Sequence, residues 1–379
     1  MIYMDNAATT WPKPSVVYRA VYNCMRKYAA NPGRSSHKMA IQAGEIILFA
    51  RQMLCKLFST EDPFRMIFTM NATDSINLAI KGYVRPGDHV IATTMEHNAV
   101  ARPLKELESQ GVETTFVQAD SLGRIDPFDI KKAIRSNTRM IVTTHASNVT
   151  GTLLPIKEIG EIARSYGICY LVDAAQTAGI VPINLSELPV DMLAFPGHKG
   201  LLGPQGTGGL YIAPHVKLKQ LKEGGTGSQS ESLIQPDLIP DKYESGTLNT
   251  PGIAGLGTGI KYILDMGQKK LLSWEKRLEK AFLEGLSDIK GIKVYGPKNL
   301  QERVGVISLN IGDRDSSEIA NLLDERYNIA TRGSLHCAPL AHQTIGSFHQ
   351  GTVRFSLGIF NTMEEVKKCL RALEELSRE

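Results

Sequence analysis

Between residues 65 and 212 the sequence alternates short apolar runs with stretches of helical periodicity, and this rhythm narrows the possible folds more than any other feature. The runs fall at 65–69, 88–93, 113–117, 139–144, 168–173, 191–195 and 207–212, and each predicts a strand. Helices are predicted between most of them, over 75–82, 99–110, 127–135 and 155–166. Strands joined through helices pair in parallel, and a parallel sheet must be covered on both faces. The expectation is an α/β protein whose core is a mostly parallel seven-stranded sheet.

Flanking segments read differently. An extended opening runs to Pro14, and Val17, Ala20, Val21 and Met25 then mark one side of a helix. The loop Asn31-Pro32-Gly33-Arg34-Ser35-Ser36 separates it from a long helix over 37–58, with Ile41, Ile47, Leu48, Met53 and Leu54 on its apolar side. Beyond Ala213 the rhythm stops. Residues 224–250 carry Gly, Ser and Pro without periodicity, which suggests a loop at an active site or interface. Two helices, over 254–265 and 269–289, lead to a smaller lobe with strands at 304–310 and 352–356 and helices at 316–327 and 363–376. A chain of 379 residues exceeds what one core usually serves. Two domains are expected, a large one over 16–260 and a smaller α/β one over 261–379 together with the N-terminal segment 1–15.

The composition, 42% hydrophobic and 22% charged, is that of a soluble globular protein, and a net charge of +4 gives no reason to expect nucleic acid as a partner. No apolar run is long enough to span a membrane, and the opening Met1-Ile2-Tyr3-Met4-Asp5 lacks the layout of a signal peptide, so a cytoplasmic location is expected. Cys24, Cys55, Cys169, Cys337 and Cys369 are widely spaced without a Cys-x-x-Cys, which suggests neither a disulfide framework nor a metal site. Cys337 alone lies in a polar loop; the other four fall on apolar patterns.

One lysine is set among residues chosen for backbone shape, in Phe195-Pro196-Gly197-His198-Lys199-Gly200, with further glycines up to Gly209. A lysine that must stay unprotonated and hold an aldehyde as a Schiff base needs such a fixed, partly desolvated pocket. Upstream, Tyr170-Leu171-Val172-Asp173 delivers Asp173, and then Gln176, at a strand's carboxyl end, where open α/β sheets bind ligands. A lysine for the aldehyde carbon and a carboxylate for the ring nitrogen are the pair that pyridoxal 5'-phosphate requires. Taken singly, Asp173 also reads as a helix N-cap and Lys199 as a solvated loop lysine. Thr73, in Asn71-Ala72-Thr73, reads as an N-cap or as part of an anion site at a helix N-terminus. His97, after another strand end, reads as a structural histidine or as a ring able to stack on a pyridine. Asn148, in Ser147-Asn148-Val149-Thr150-Gly151, follows a third strand end.

Taken in order, Asp5-Asn6-Ala7-Ala8-Thr9-Thr10, Glu96-His97-Asn98, Ser147-Asn148-Val149-Thr150-Gly151, Asp173-Ala174-Ala175-Gln176, Gly197-His198-Lys199, Glu244-Ser245-Gly246-Thr247, His336-Cys337-Ala338-Pro339 and Val353-Arg354-Phe355-Ser356 resemble the class V aminotransferases over almost the whole chain, and within them the cysteine desulfurase and selenocysteine lyase branch. The resemblance implies a fold-type I transferase whose large domain binds pyridoxal 5'-phosphate. Lys199 would carry the cofactor, Asp173 would face its ring nitrogen, Gln176 its phenolic oxygen, and His97 would stack on the ring. Thr73 and His198 would hold the phosphate, joined by Thr247 from the second subunit of a homodimer. Asn148 would lie beside cofactor and substrate, and Arg354 would clamp the substrate carboxylate in a fork. Cys337 would take sulfur from L-cysteine as a persulfide, leaving L-alanine, and pass it to an acceptor protein. Arg332 or His336 could supply positive charge beside it, Arg332 at the substrate end of the pocket.

Selenocysteine lyase on L-selenocysteine is the nearest alternative, and a cofactor-binding scaffold without turnover is a further one. A buried, inert Cys337 is the bland reading of that residue. Two positions depart from the family pattern. Pro196 stands where a hydroxyl commonly meets the phosphate, which implies one hydrogen bond fewer. In the cysteine loop Gly333-Ser334 stands where glycine is more often one place nearer the cysteine, so Ser334 would be strained if that place needs positive φ.

Overall fold

The computed structural model describes residues 1–33 and 35–379. In chain order the elements are β1 (Ile2–Tyr3), α1 (Ser15–Lys27), α2 (Lys38–Phe58), β2 (Met66–Thr69), α3 (Ala72–Tyr83), β3 (His89–Thr93), α4 (Asn98–Glu108), β4 (Glu113–Val117), α5 (Pro127–Lys132), β5 (Thr138–Thr144), α6 (Ile156–Ser165), β6 (Cys169–Asp173), β7 (Met192–Pro196) and β8 (Gly208–Ile212). They continue through α7 (Thr250–Met266), α8 (Gln268–Ser287), β9 (Ile292–Val294), β10 (Val306–Ile311), α9 (Ser316–Tyr327), β11 (Ile329–Ala330), α10 (Pro339–Thr344), β12 (Val353–Ser356) and α11 (Met363–Arg378).

Among the described residues, seven strands form the main sheet in the order β2-β8-β7-β6-β5-β3-β4. Every predicted strand between 65 and 212 is present within a residue or so of its expected ends. β8 pairs antiparallel with β2 and β7, and the remaining neighbours pair in parallel, so the sheet is mixed but mostly parallel. β3, β6 and β7 are buried along their whole length, as strands covered on both faces must be. Helices cover the sheet: α3 lies against β6, β7 and β8, α4 against β4, and α6 against β6.

A second apolar core gathers α8, α9, α11, β10 and β12, with Leu278, Phe282, Ile307, Phe355 and Leu373 at its centre. Met4 belongs to this core, because β1 pairs with β11 far along the chain. These pairings, along with β9 and α10, lie in stretches that the sequence reading left irregular. Three other expectations need correcting. Met25 on α1 and Ile41 and Leu48 on α2 face solvent, at 65%, 52% and 38% exposure. The buried faces of these two helices are the ones packed on α7, so their apolar positions serve two surfaces.

α3 starts three residues earlier than its apolar spacing indicates, because Asn71, in extended backbone at φ −173°, accepts a hydrogen bond from the Asp74 N–H and is the N-cap. Thr73 is therefore not the cap. The first turn of α3 is held against the sheet by Gly208, where a Cβ would lie 2.7 Å from the Asn71 Cα and carbonyl carbon. Gly208→Ala is expected to push the α3 N-terminus off β8 and cost about 1–3 kcal/mol, read as a lower urea midpoint at unchanged slope. An unchanged midpoint would show that this approach is not tight.

Candidate active site

β3, β5, β6 and β7 run the same way and end side by side, so the loops after them meet at one edge of the sheet. Asp173 is the last residue of β6 and pairs with Thr144 of β5 and Ala194 of β7, which puts it in the middle of that edge. Its carboxylate is 3% exposed and accepts a hydrogen bond from the Ala175 N–H at 2.8 Å. The turn-capping reading of Asp173 is thus correct as far as it goes, and the carboxylate still borders the site. Burial pushes this carboxyl up, and the Ala175 N–H and Lys199 pull it back.

Lys199 follows the end of β7 and shares one cavity with Thr73, His97, Asn148, Asp173, Gln176 and His198. Its amine is lowered to about 8 by burial first and by the Arg354 guanidinium second, with Asp173 opposing. An amine at that value keeps a minor but usable neutral fraction near physiological pH, the form that acts as a nucleophile toward an aldehyde. His97 is lowered to about 4, by burial and then by Lys199 and Arg332, so its ring is neutral. The imidazole also has a structural task, since its Nδ1 accepts from the Ala99 N–H at 3.0 Å and caps α4. His198 is likewise lowered to about 4, and its buried Nδ1 has no partner among the described residues.

The arrangement fits pyridoxal 5'-phosphate. An aldehyde-reactive amine, a buried carboxylate and a neutral ring face one space. At one end of that space stand an exposed Thr73, the free N–H groups of α3 and the unpartnered His198 nitrogen, the donors a phosphate needs. Gln176 lines the same space and donates to the Ala7 carbonyl at 3.3 Å.

Arg354, on β12, is 1% exposed and reaches the site from the second core. Its Nη2 is 2.8 Å from Asp5 Oδ1, its Nη1 donates to the Asn148 carbonyl at 3.2 Å, and its buried Nε has no partner among the described residues. The Cys337 loop is tied to the same elements. The Asn148 side chain donates to the His336 carbonyl at 2.7 Å, and the Asn98 N–H at the start of α4 donates to the Cys337 carbonyl at 2.8 Å. Arg332 Nη2 lies 3.3 Å from Cys337 Sγ. Cys337 is exposed, whereas Cys24, Cys55, Cys169 and Cys369 are buried. Of the two candidate cations only Arg332 is there: His336 is buried, turns its Nε2 to Thr352, and is held well below its usual range by burial and Arg354.

The Aminotransferase class-V family pattern matches residues 2–369. The chain belongs to the class-V aminotransferase family. A relative described as a "probable cysteine desulfurase", from Methanothermobacter thermautotrophicus, is 36% identical over 384 residues, covering 99% of this chain and 94% of its own. The apo structure of a cysteine desulfurase from Thermococcus onnurineus NA1 superimposes with a TM-score of 0.94 at 33% identity, covering 100% of this chain and 94% of that one. The Escherichia coli cysteine desulfurase CsdA, in an S-sulfonic acid form, gives 0.88 at 26% identity, covering 98% and 94%.

Relative to this class-V site, Thr247 is the one expected residue that its own chain leaves elsewhere. It is exposed and lines a separate groove with Met70, Lys222 and Asn249. Sequence reasoning also passed over residues that the structure brings in. Asp5 fixes the Arg354 guanidinium; its signal was the Asp5–Thr10 motif, which was noticed without a role. Lys13 Nζ donates to the His198 carbonyl at 2.6 Å, and Thr10 Oγ1 to the Lys199 carbonyl at 3.0 Å, so the N-terminal segment grips the backbone of the lysine loop. Burial lowers Lys13 to about 8. Glu96 is fully buried, accepts from Thr93 Oγ1 and the Thr144 N–H, and is pushed up to about 8 by burial, so it ties β3 to β5 largely as the neutral acid.

Two outcomes are expected. Attachment of pyridoxal 5'-phosphate to the apoprotein, followed by visible absorbance, should accelerate with pH through about 8, since the neutral amine of Lys199 is the reactive form. Arg354→Met removes a neighbouring cation and should move that midpoint upward; a midpoint near 10.5 in the unaltered protein would show that Lys199 is solvated. The second concerns Ser334, which does adopt φ +80° and whose backbone is held by Ser316 and Thr352. Ser334→Gly should relieve that strain and stabilise the protein by about 0.5–1 kcal/mol after glycine's own entropy cost, seen as a higher urea midpoint.

Proposed function

We propose that this chain is a pyridoxal-phosphate-dependent cysteine desulfurase. The observation that carries the reading is the placement of Cys337: an exposed thiol beside Arg332, on a loop tied through Asn148 and Asn98 to the pocket of Lys199 and Asp173. The full-length likeness to cysteine desulfurases supports it. Bound pyridoxal 5'-phosphate supplies an electron sink for the substrate's α-carbon. Asp173 would keep the ring nitrogen protonated, His97 would lie against the ring as a neutral imidazole, and Thr73, His198 and the α3 N-terminus would hold the phosphate. The free edge of the Arg354 guanidinium, steadied by Asp5, receives the substrate carboxylate.

Lys199 Nζ takes the proton from the substrate's α-carbon. The Cys337 sulfur, which lies 3.3 Å from Arg332 Nη2, then attacks the substrate sulfur as the thiolate. A sulfur–sulfur bond forms, the Cβ–sulfur bond breaks with its electron pair left on Cβ, the proton given up by the Cys337 thiol is taken up at Cβ, and the proton held by Lys199 is returned to Cα. L-Cysteine and the enzyme thiol thus become L-alanine and the enzyme persulfide, with no external oxidant or reductant. An acceptor protein's thiol would then remove the outer sulfur.

The reading includes a homodimer, with Thr247 completing the partner's phosphate site. Its supports are the exposure of Thr247 and the apolar side chains that α1 and α2 leave uncovered: Tyr18, Tyr22, Met25, Met39, Ile41 and Leu48. Sedimentation should give a dimer, and dilution should loosen the cofactor; a fully active monomer rules this part out.

Mass spectrometry tests the sulfur chemistry. After incubation with L-cysteine, the peptide containing Cys337 should gain one or more sulfur atoms, removable by reductant, while the peptides of the four buried cysteines stay unchanged. Cys337→Ala should retain the cofactor's visible absorbance and lose turnover of L-cysteine by at least a hundredfold. If that variant keeps L-selenocysteine turnover, the protein is also a selenocysteine lyase; if it keeps turnover of both, Cys337 is structural and the mechanism fails.

A further inference from the structure

β2 is an edge strand of the main sheet, and its outer backbone groups would be open to any passing strand. Two side chains occupy that edge. Glu244 Oε1 accepts from the Phe68 N–H at 2.6 Å, and Arg51 Nη1 donates to the Met66 carbonyl. Arg51 Nη2 and Glu244 Oε2 are paired with each other, at side-chain exposures of 3% and 4%, and the guanidinium carbon lies 4.6 Å from the centre of the Phe68 ring. A carboxylate and a guanidinium thus take the place of a neighbouring strand's carbonyl and N–H. An ion pair this deeply buried is poor evidence of stability by itself, since desolvation offsets much of the attraction. Its worth lies in what it holds in place.

Glu244 opens the segment Ser245-Gly246-Thr247-Leu248-Asn249. At the far end Asn249 accepts from the Gly252 N–H at 3.0 Å, capping α7, and donates to the Gly206 carbonyl at 3.1 Å. Between these two ties Ser245 Oγ accepts from Gln235 Nε2 at 2.9 Å, and the Gly246 N–H donates to the Gly225 carbonyl at 2.9 Å. Thr247 is three residues beyond Glu244, a reach of about 10 Å. With Glu244 tied on one side and Asn249 tied two residues beyond Thr247, that threonine sits on a short span held at both ends.

We propose that Arg51 and Glu244 are a positioning pair that anchors the 245–249 segment to the edge of β2, so that Thr247 meets the cofactor phosphate of the partner subunit. The proposal rests on the composite-site reading above. It assigns neither residue to the chemistry; both act through Thr247.

The test compares two aldehydes. Apoprotein is titrated with pyridoxal 5'-phosphate and, separately, with pyridoxal, and the fraction of Lys199 trapped by borohydride is read by mass. Glu244→Gln keeps the volume and an acceptor for Phe68 but removes the charge. It should raise the half-saturating concentration of pyridoxal 5'-phosphate about tenfold and leave that of pyridoxal unchanged, because only the phosphate contact is displaced. Arg51→Lys, which keeps charge without the fork, should shift in the same selective way by a smaller factor. Equal weakening for both aldehydes, or for neither, overturns the proposal.

Mixed dimers then separate it from the reading beneath it. One subunit carries Lys199→Ala, and Glu244→Gln is placed either on that subunit or on the one with Lys199. Loss of trapping when Glu244→Gln lies opposite the intact lysine supports both ideas. Loss when it lies on the same subunit keeps the positioning role and removes the composite site.

Discussion

An amine cannot be kept near neutrality by burial alone without costing the fold elsewhere, and the Lys199 pocket is organised around that problem. Arg354 brings a second cation, itself 1% exposed, into the same unscreened space. Two carboxylates answer it. Asp173 comes from the middle of the sheet and Asp5 from the start of the chain, and each faces one of the cations. The two aromatic nitrogen bases nearby, His97 and His198, are held neutral by burial first and by Lys199 second. The charge pattern of the site is therefore a single coupled arrangement, in which no member keeps its properties if a neighbour is removed.

The backbone supplies the rigidity this needs. Lys199 could sit on a mobile loop, but Thr9, Thr10 and Lys13 bind the carbonyls of His198 and Lys199, and Gly203 closes back onto Gly197. The cysteine loop is fixed in the same manner, by donors from the start of α4 and from the loop after β5, while Ser334, His336 and Cys337 all hold positive φ. That conformation is costly for residues with a Cβ, so the hydrogen bonds around the loop oppose a real strain. Cys337 sits on a stiff, over-determined turn.

Much of the main sheet was legible in the sequence because its strands are buried on both faces and read as uninterrupted apolar runs. The loops that carry Lys199, Asp173, His97 and Asn148 follow directly from those strand ends. What could not be read were pairings between distant segments. Ile2–Tyr3 is too short to announce a strand, and it becomes one only against Ile329–Ala330. Asp5 carried no local signal that it faces Arg354, and nothing next to Glu96 in the sequence shows that it is buried. Met25, Ile41 and Leu48 misled for the opposite reason: apolar spacing on a helix does not say which of two surfaces it is meant for. Ser334 was identified as a strained position from a glycine's displacement by one residue, and its φ agrees.

The grip of the N-terminal segment on the lysine loop and on Arg354 also sets an order of events during synthesis. The partner of Asp5 is made 349 residues after it, and the β1 partner in β11 is almost as late. At about 5–20 residues per second Asp5 waits on the order of tens of seconds for its partner. The sheet from β2 to β8 can collapse during that interval, while the pocket at its edge stays open and without Arg354. A nascent chain therefore has a folded core well before it has a working centre.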